Sequence, residues 1–239
     1  MTFENIKHIL SEDKNTWANK NFITLDIDWC HDEILIDAIE ILEKYDVAAT
    51  WFVTHNSPIL DRLRENKKFE LGIHPNFNFL LEGDHRNGRT ADEIIDRLME
   101  LVPEAKSVRS HSMTQSSPLI DLFNKKGLTH ECNHFIPAQS GIQLRPWRLW
   151  NSIQKVPYFW EDDLHCLFND NVDPALLMET SGLSVFDFHP IHVYLNTKTL
   201  QLYEQTRHIH RNPTELLKER CIDSLGVREV LIRILEGSQ

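Results

Sequence analysis

Seven short runs rich in β-branched and aromatic residues alternate along this chain with stretches of helical periodicity. Such runs predict buried strands, and strands that alternate with helices predict βαβ units in a parallel sheet. Because no linker or repeat divides the 239 residues, we expect a single α/β domain over 1–239, a distorted (β/α) barrel of about seven parallel strands. The predicted strands are 22–29, 48–54, 69–73, 107–111, 128–134, 154–160 and 183–189.

The predicted helices between these runs carry recognisable start signals. Residues 32–46 place apolar side chains at helical spacing, Thr90 and Glu93 form a capping box, and Ser117-Pro118 pairs an N-cap serine with a first-turn proline. Residues 137–152 lack periodicity, which predicts a long loop at the barrel mouth. Residues 214–236 are predicted to form helices whose inward-facing side chains are Leu216, Leu217, Val230, Leu231 and Ile234.

Charge and cysteine content narrow the possible partners and location. The formal net charge is −11, whereas nucleic acids and anionic membranes require clustered Lys and Arg, so we expect neither as a partner. The first residues lack the pattern of a signal peptide, and no apolar run could span a membrane. The four cysteines show no CxxC spacing, which favours a reduced, cytoplasmic protein. The oligomeric state stays open.

Nearly every predicted strand ends in a polar or titratable side chain. The first ends in Asp26 and Asp28, which period-two alternation would place on one face. Two carboxylates at the end of an apolar strand require a compensating cation, arginine or proton. Because the carboxyl ends of parallel strands carry the active site in such barrels, these residues predict a site. The other strand ends carry His55, His74 with Asn76 and Asn78, Arg109 with His111, His134, Glu161 with Asp162 and Asp163, and Asp187 with His189 and His192.

This ordered set resembles the polysaccharide deacetylase superfamily, the NodB-homology proteins that include carbohydrate esterase family 4. Leu25-Asp26-Ile27-Asp28 is similar to its paired-aspartate motif, and Glu70-Leu71-Gly72-Ile73-His74 to the approach to its His-x-x-x-His motif. Arg109, the stretch 158–162 and Phe186-Asp187-Phe188-His189-Pro190 are similar to the later motifs. The chain resembles most closely an outlying branch linked to O-antigen and other surface-polysaccharide synthesis.

The resemblance implies a metal-dependent hydrolase that removes an acyl group, acetyl being the expected one, from a sugar or nucleotide-sugar. It implies that Asp26 is the general base, Arg109 its partner and His189 the general acid, with Asp28 and His74 as metal ligands. The divalent metal implied is zinc, with nickel, cobalt, manganese or iron as alternatives.

The sequence departs from the family pattern at one metal ligand. Asn78 stands where the second motif histidine is expected, and a neutral amide is a poor zinc ligand. We predict that His111 replaces it, because His111 would share a strand face with Arg109 as Asp28 does with Asp26. His55 and Asn78 itself are the alternatives.

The departure keeps two other functions open. One is a non-catalytic barrel that binds sugar, and the other is an amidase acting on a small non-sugar amide. In each case the ligand is a small molecule or carbohydrate. The residues predicted to bind substrate are Trp29, Asn76, Tyr158, Trp160, Asp162 and His192.

Overall fold

The protein is organised around a mostly parallel sheet. A computed structural model describes residues 2–168, 182–222 and 225–237. Its strands are β1 (Thr2–Phe3), β2 (Lys20–Asp26), β3 (Ala49–Val53), β4 (Phe69–Ile73), β5 (Ser107–Val108), β6 (His130–Glu131), β7 (Trp147–Arg148), β8 (Gln154–Lys155), β9 (Trp160–Glu161) and β10 (Ser184–Phe188). They pair in the order β7-β8-β6-β5-β4-β3-β2-β10-β9, and β1 pairs with β2. Every pairing among them is parallel except that of β7 with β8.

One extended segment joins the two ends of this sheet. It begins as β8 beside β6, continues through a parallel bridge between Tyr158 and Phe135, and ends as β9 beside β10. The predicted strand 154–160 is therefore divided in two, because the segment changes partners along its length. This segment links the two ends of the curled sheet, so the predicted distorted (β/α) barrel is confirmed.

The helices follow the strands in sequence. They are α1 (Asp32–Tyr45), α2 (Ile59–Glu65), α3 (Asn78–Leu81), α4 (Ala91–Leu101), α5 (Ser117–Lys125), α6 (Asp162–Phe168), α7 (Pro190–Leu195), α8 (Leu200–Thr206), α9 (Pro213–Lys218) and α10 (Val227–Glu236). Thr90 caps α4 by accepting a hydrogen bond from the backbone of Glu93 at 3.2 Å. Ser116 caps α5, one residue before the predicted Ser117, since its hydroxyl accepts from Leu119. Within the described part, none of the helices has both the length and the apolar character needed to cross a membrane.

Two predictions about the less regular parts are wrong. Residues 137–152 are not a continuous loop, because Trp147 and Arg148 pair with β8 as an antiparallel strand. Leu217 is 46% exposed, whereas Leu216 beside it is fully buried. Helical spacing allows either of two adjacent leucines to face the core, and only packing decides between them.

The central strands are buried on both faces, as parallel sheets require. Phe22, Ile23 and Leu25 of β2 are completely buried. The barrel interior is nevertheless polar, because Thr24 and Asp26 of the same strand point towards Arg109. A buried polar group is stable only when it is hydrogen-bonded, so we expect the polar side chains of this interior to form a hydrogen-bonded functional network.

We expect Gly72→Ala to destabilise the barrel by about 1–3 kcal/mol. A Cβ at position 72 would lie 2.7 Å from the backbone oxygen of Ser107 and 2.9 Å from the ring of Phe52, where β3, β4 and β5 approach closely. Thermal and urea unfolding measure the loss. Gly237→Ala is the matched control, since its added Cβ meets only the Arg233 carbonyl, at 3.3 Å. If Gly72→Ala and Gly237→Ala were equally stable, this would contradict the close approach of the strands at position 72.

Candidate active site

Three potential ligand atoms lie together at the carboxyl ends of the strands. They are Oδ1 of Asp28, Nε2 of His74 and Nδ1 of His111. The separations are 3.3 Å between Asp28 and His74, 3.5 Å between Asp28 and His111, and 3.3 Å between the two histidines. The structure thus places the predicted substitute His111 beside the two ligands inferred from the motifs.

Two residues of this cluster lie in turns beyond the ends of their strands, so the alternation of side chains along a strand does not position them. β2 ends at Asp26, and Asp28 (φ 33°) and Trp29 (φ 53°) both adopt left-handed backbone. The predicted common strand face of Asp26 and Asp28 is therefore wrong. β5 likewise ends at Val108, and His111 opens a 3-10 helix. Left-handed backbone at non-glycine residues is uncommon and concentrates at functional sites.

The cluster fits a divalent metal. A tetrahedral zinc ion with bonds of about 2.0–2.1 Å holds its ligand atoms about 3.3–3.4 Å apart. Oδ1 of Asp28 is buried and has no hydrogen-bond partner among the described residues. Burial alone would raise the pKa of Asp28, but contacts with His111 and His74 hold it well below its usual range. Its side chain is therefore a carboxylate, which with two imidazoles forms a suitable zinc donor set.

The two alternative ligands are engaged elsewhere. Nδ1 of His55 lies 2.8 Å from the hydroxyl of Thr54. The side-chain amide of Asn78 donates to Ser112 at 3.0 Å, and its backbone N–H donates to the side chain of Asn76 at 2.9 Å. Asn76, predicted to bind substrate, is itself buried and shapes this turn.

Asp26 lies beside the cluster in a buried network centred on Arg109. Nη1 of Arg109 donates to Oδ1 of Asp26 at 3.0 Å and to Thr24 at 2.9 Å, and it also contacts Asp187. Burial raises the pKa of Asp187 well above its usual range, against the charge of Arg109. Arg109 thus joins two buried acidic side chains, Asp26 and Asp187, in one network. The second oxygen of Asp26 lies 3.4 Å from Nδ1 of His74.

His189 approaches the cluster from the end of β10. Its Nε2 lies 3.7 Å from Oδ2 of Asp28, and its Nδ1 lies 2.7 Å from Asp162. Its backbone N–H donates to the same Asp162 carboxylate at 2.6 Å. Burial opposes protonation of His189, but the charges of Asp162 and Asp163 hold its pKa well above its usual range. The ring is therefore an imidazolium whose Nε2 proton points towards the cluster.

Asp162, predicted to bind substrate, is fully buried and accepts both hydrogen bonds from His189. Its place at the start of α6 fixes the orientation of the His189 ring. The neighbouring Asp163 lies 2.6 Å from Nε2 of His192. The adjacent residues Asp162 and Asp163 thus bond to two different histidines.

A cleft of 400 Å³ opens on the cluster. Of the residues predicted to bind substrate, Trp29 and His192 line it. The Trp29 ring meets the His111 ring edge-on at 5.2 Å, which places an aromatic surface beside the candidate ligands.

Two other aromatic candidates lie outside this cleft. Tyr158 is buried, and its ring lies 4.5 Å from the guanidinium carbon of Arg109. Trp160 packs on Phe188 at 4.8 Å and lines a separate, more apolar cleft of 750 Å³. Tyr158 therefore supports the arginine, and only Trp160 has access to an open space.

Sequence reasoning missed several residues that contribute to the site. Thr24 lies two residues before Asp26 on the same strand, so period-two alternation could have found it. Asp187 was predicted at its strand end but given no role, and the structure places it against Arg109. His210 is half-buried and lines the cleft. No motif marks the other cleft-lining residues of this region, which are Tyr203, Arg207 and Arg211.

We expect Asp162→Asn to lower kcat by about 10²- to 10³-fold while the metal content stays unchanged. The variant keeps the side-chain volume but removes the charge that holds His189 protonated and oriented. Steady-state kinetics and elemental analysis measure the two quantities. Asp163→Asn is the matched control, because Asp163 contributes a similar charge near His189 but bonds to His192, so this variant should lose less activity. Equal losses would mean that the contact between Asp162 and His189 has no special role.

Comparison with known proteins places this arrangement in a family. The model of the WbmS-like polysaccharide deacetylases matches residues 23–207. The crystal structure of a proposed polysaccharide deacetylase involved in O-antigen biosynthesis from Bordetella bronchiseptica is 42% identical, with a TM-score of 0.91 over 98% of this chain and 97% of that chain. A search of curated proteins found no match.

More distant structures were also found. A family 4 carbohydrate esterase from Streptomyces lividans, in complex with acetate, is 12% identical with a TM-score of 0.47, over 91% of this chain and 88% of that chain. The family model and the Bordetella structure confirm the resemblance inferred from the motifs. The chain belongs to the WbmS-like polysaccharide deacetylase family.

Proposed function

We propose that this protein is a metal-dependent hydrolase that removes an acyl group, acetyl being the expected one, from an amino sugar or nucleotide-sugar used in surface-polysaccharide synthesis. The family supports deacetylation as the reaction class. One observation carries the finer proposal. The cluster of Asp28, His74 and His111 lies between a buried carboxylate and a protonated histidine, with Asp26 3.4 Å from His74 and His189 3.7 Å from Asp28.

Asp28, His74 and His111 would hold the metal. When bound there, such an ion would supply Lewis acidity, lowering the pKa of a water molecule and polarising an acyl carbonyl. Zinc suits the donor set and the spacing of the three atoms, with nickel, cobalt, manganese and iron as alternatives. Nδ1 of His74 faces Asp26, so this contact orients the imidazole towards the cluster.

Asp26 acts as the general base. Arg109 fixes one of its oxygens through a 3.0 Å hydrogen bond, and the second oxygen remains on the side of the cluster. This oxygen accepts a proton from the attacking water as the new carbon–oxygen bond forms. The rings of Phe52 and Tyr158, 4.6 and 4.5 Å from the guanidinium carbon, keep Arg109 in place.

His189 acts as the general acid. As the carbon–nitrogen bond of the amide breaks, Nε2 gives its proton to the departing amine. Asp162 stabilises the imidazolium before this step and holds the tautomer afterwards, since it accepts from Nδ1. The products are a free amino sugar and a carboxylate.

A substrate screen tests the proposal directly. Purified protein is incubated with N-acetylated amino sugars and their nucleotide derivatives, and free amine and acetate are quantified together. We expect the two in equal amounts, with loss of the reaction after dialysis against a chelator and recovery on addition of zinc. Tight sugar binding with no release of acetate would instead favour the non-catalytic barrel. Release from small cyclic or linear amides alone would favour the amidase.

A further inference from the structure

The cleft that opens on the cluster has a second, cationic end. Asp28, His111 and His189 line one part of it, and Arg207, His210 and Arg211 line another. These three residues follow α8 in the chain, in the turn that leads to α9. Two arginines four positions apart in the chain, both in the wall of one cleft, stand out in a chain of net charge −11.

A row of rings connects the two ends. The ring centroid of His192 lies 5.9 Å from that of His189, Tyr203 lies 4.7 Å from His192, and His210 lies 4.7 Å from Tyr203. A sugar whose acyl group reached the cluster would lie along this row. Its remaining substituents would then extend towards Arg207 and Arg211.

The positive charge of this end is poorly compensated within the protein. Arg211 forms no ion pair or hydrogen bond with any residue in the described part of the chain. Among the residues that the structure describes, Arg207 pairs only with Glu204, one helical turn earlier, at 3.5 Å, and both side chains are largely exposed. Exposed pairs of this kind contribute little stability, so Arg207 is free to bind another anion.

We propose that Arg207 and Arg211 bind an oxyanion, phosphate or carboxylate, carried by the same sugar that loses its acyl group. The planar guanidinium matches the geometry of both oxyanions. The substrate class is then an anionic N-acylated sugar, such as a sugar phosphate, a nucleotide-sugar or an acylated uronic acid. This inference rests on the proposed function for the position of the acyl group. The 400 Å³ cleft suits such a small molecule better than a polymer.

Calorimetric binding with three matched probes tests the inference. Glucose is the neutral reference, glucose 1-phosphate carries the phosphate and glucuronate carries the carboxylate, and none has an acyl group to lose. At least one anionic probe should bind the wild-type protein more tightly than glucose does. In Arg207→Gln/Arg211→Gln this affinity should fall by at least about tenfold. In the control Arg86→Gln/Arg97→Gln, which removes the same charge from other exposed positions, it should change by less than about twofold.

The possible outcomes identify which group carries the anion. They also distinguish a failure of this inference from a failure of the proposed function. Preference for glucose 1-phosphate identifies a phosphorylated sugar, and preference for glucuronate identifies a uronic acid. Equal binding of glucose and both anions, or unchanged binding by the double variant, overturns the inference. The single variant Arg211→Gln repeats the test should the double variant not fold. Because no probe is hydrolysed, this result is independent of the acyl-release assay, whose failure would overturn the proposed function alone.

Discussion

Purified wild-type protein should contain about one equivalent of a divalent metal, and Asp28→Ala less than about a tenth of that amount. Asp28 supplies the only carboxylate oxygen of the three-atom cluster, and the contacts that keep it ionised come from the other two members, His74 and His111. Its removal leaves two imidazoles and no negative charge, which is a weak set of donors for a divalent cation. Elemental analysis of dialysed protein measures the content, and equilibrium dialysis against zinc measures the affinity.

Three further variants complete this experiment. His74→Ala should lose metal as Asp28→Ala does, and His111→Ala tests whether the replacement for the missing motif histidine is correct. His55→Ala is the control, because His55 contacts Thr54 and does not belong to the cluster. Full metal retention by both Asp28→Ala and His74→Ala would refute the metal site. Loss of metal in His55→Ala with retention in His111→Ala would transfer the third ligand to His55.

The fold was largely predictable because the buried strands of a parallel sheet appear in the sequence as apolar runs. Six of the seven predicted strands each overlap one observed strand, and the seventh, 154–160, contains β8 and the start of β9. The limits of β4 (Phe69–Ile73) are those predicted. The segment 154–161 was harder to predict, because its two halves pair with strands on different sides. Neither composition nor period reveals such a change of partner, which depends on how the sheet curves.

Most of the residues that form the site were predictable from the sequence, but their geometry was less so. Position at strand ends was sufficient to bring His74, Arg109 and His189 into one region. The turns at Asp28 and after His111 were not foreseeable, since left-handed backbone at Asp28, Trp29 and Ser112 has no clear sequence signal. The pairing of His111 with Asp28 was nevertheless anticipated, because both residues lie two positions beyond partners that do meet, Arg109 and Asp26.

The residues assigned to substrate binding show where sequence reasoning ends. Tyr158 and Asp162 lie at a strand end, as predicted, but a strand end has an inner and an outer side. Tyr158 is buried against Arg109, and Asp162 is buried against His189. An acidic or aromatic residue near a barrel mouth can thus contact substrate or support a residue that does, and only packing distinguishes the two.

Asp26→Asn should keep its metal and lose about 10³-fold or more in kcat. An amide of the same size can occupy the site and accept the hydrogen bond from Arg109, but it cannot take a proton from water. The loss should therefore fall on kcat, with KM and metal content close to those of the wild type. Rapid-mixing or steady-state assays of acyl release, together with elemental analysis, measure all three quantities.

Asp187→Asn provides the matched comparison, because Asp187 contacts the same Nη1 of Arg109 as Asp26 does. Burial raises the pKa of Asp187, which favours its neutral form, whereas Asp26 also directs its second oxygen to His74 beside the cluster. We expect a loss of less than about tenfold in kcat for Asp187→Asn. If Asp187→Asn abolished turnover and Asp26→Asn preserved it, the base would be Asp187. Loss of metal in Asp26→Asn would instead show that Asp26 helps to hold the ion, through its 3.4 Å contact with His74.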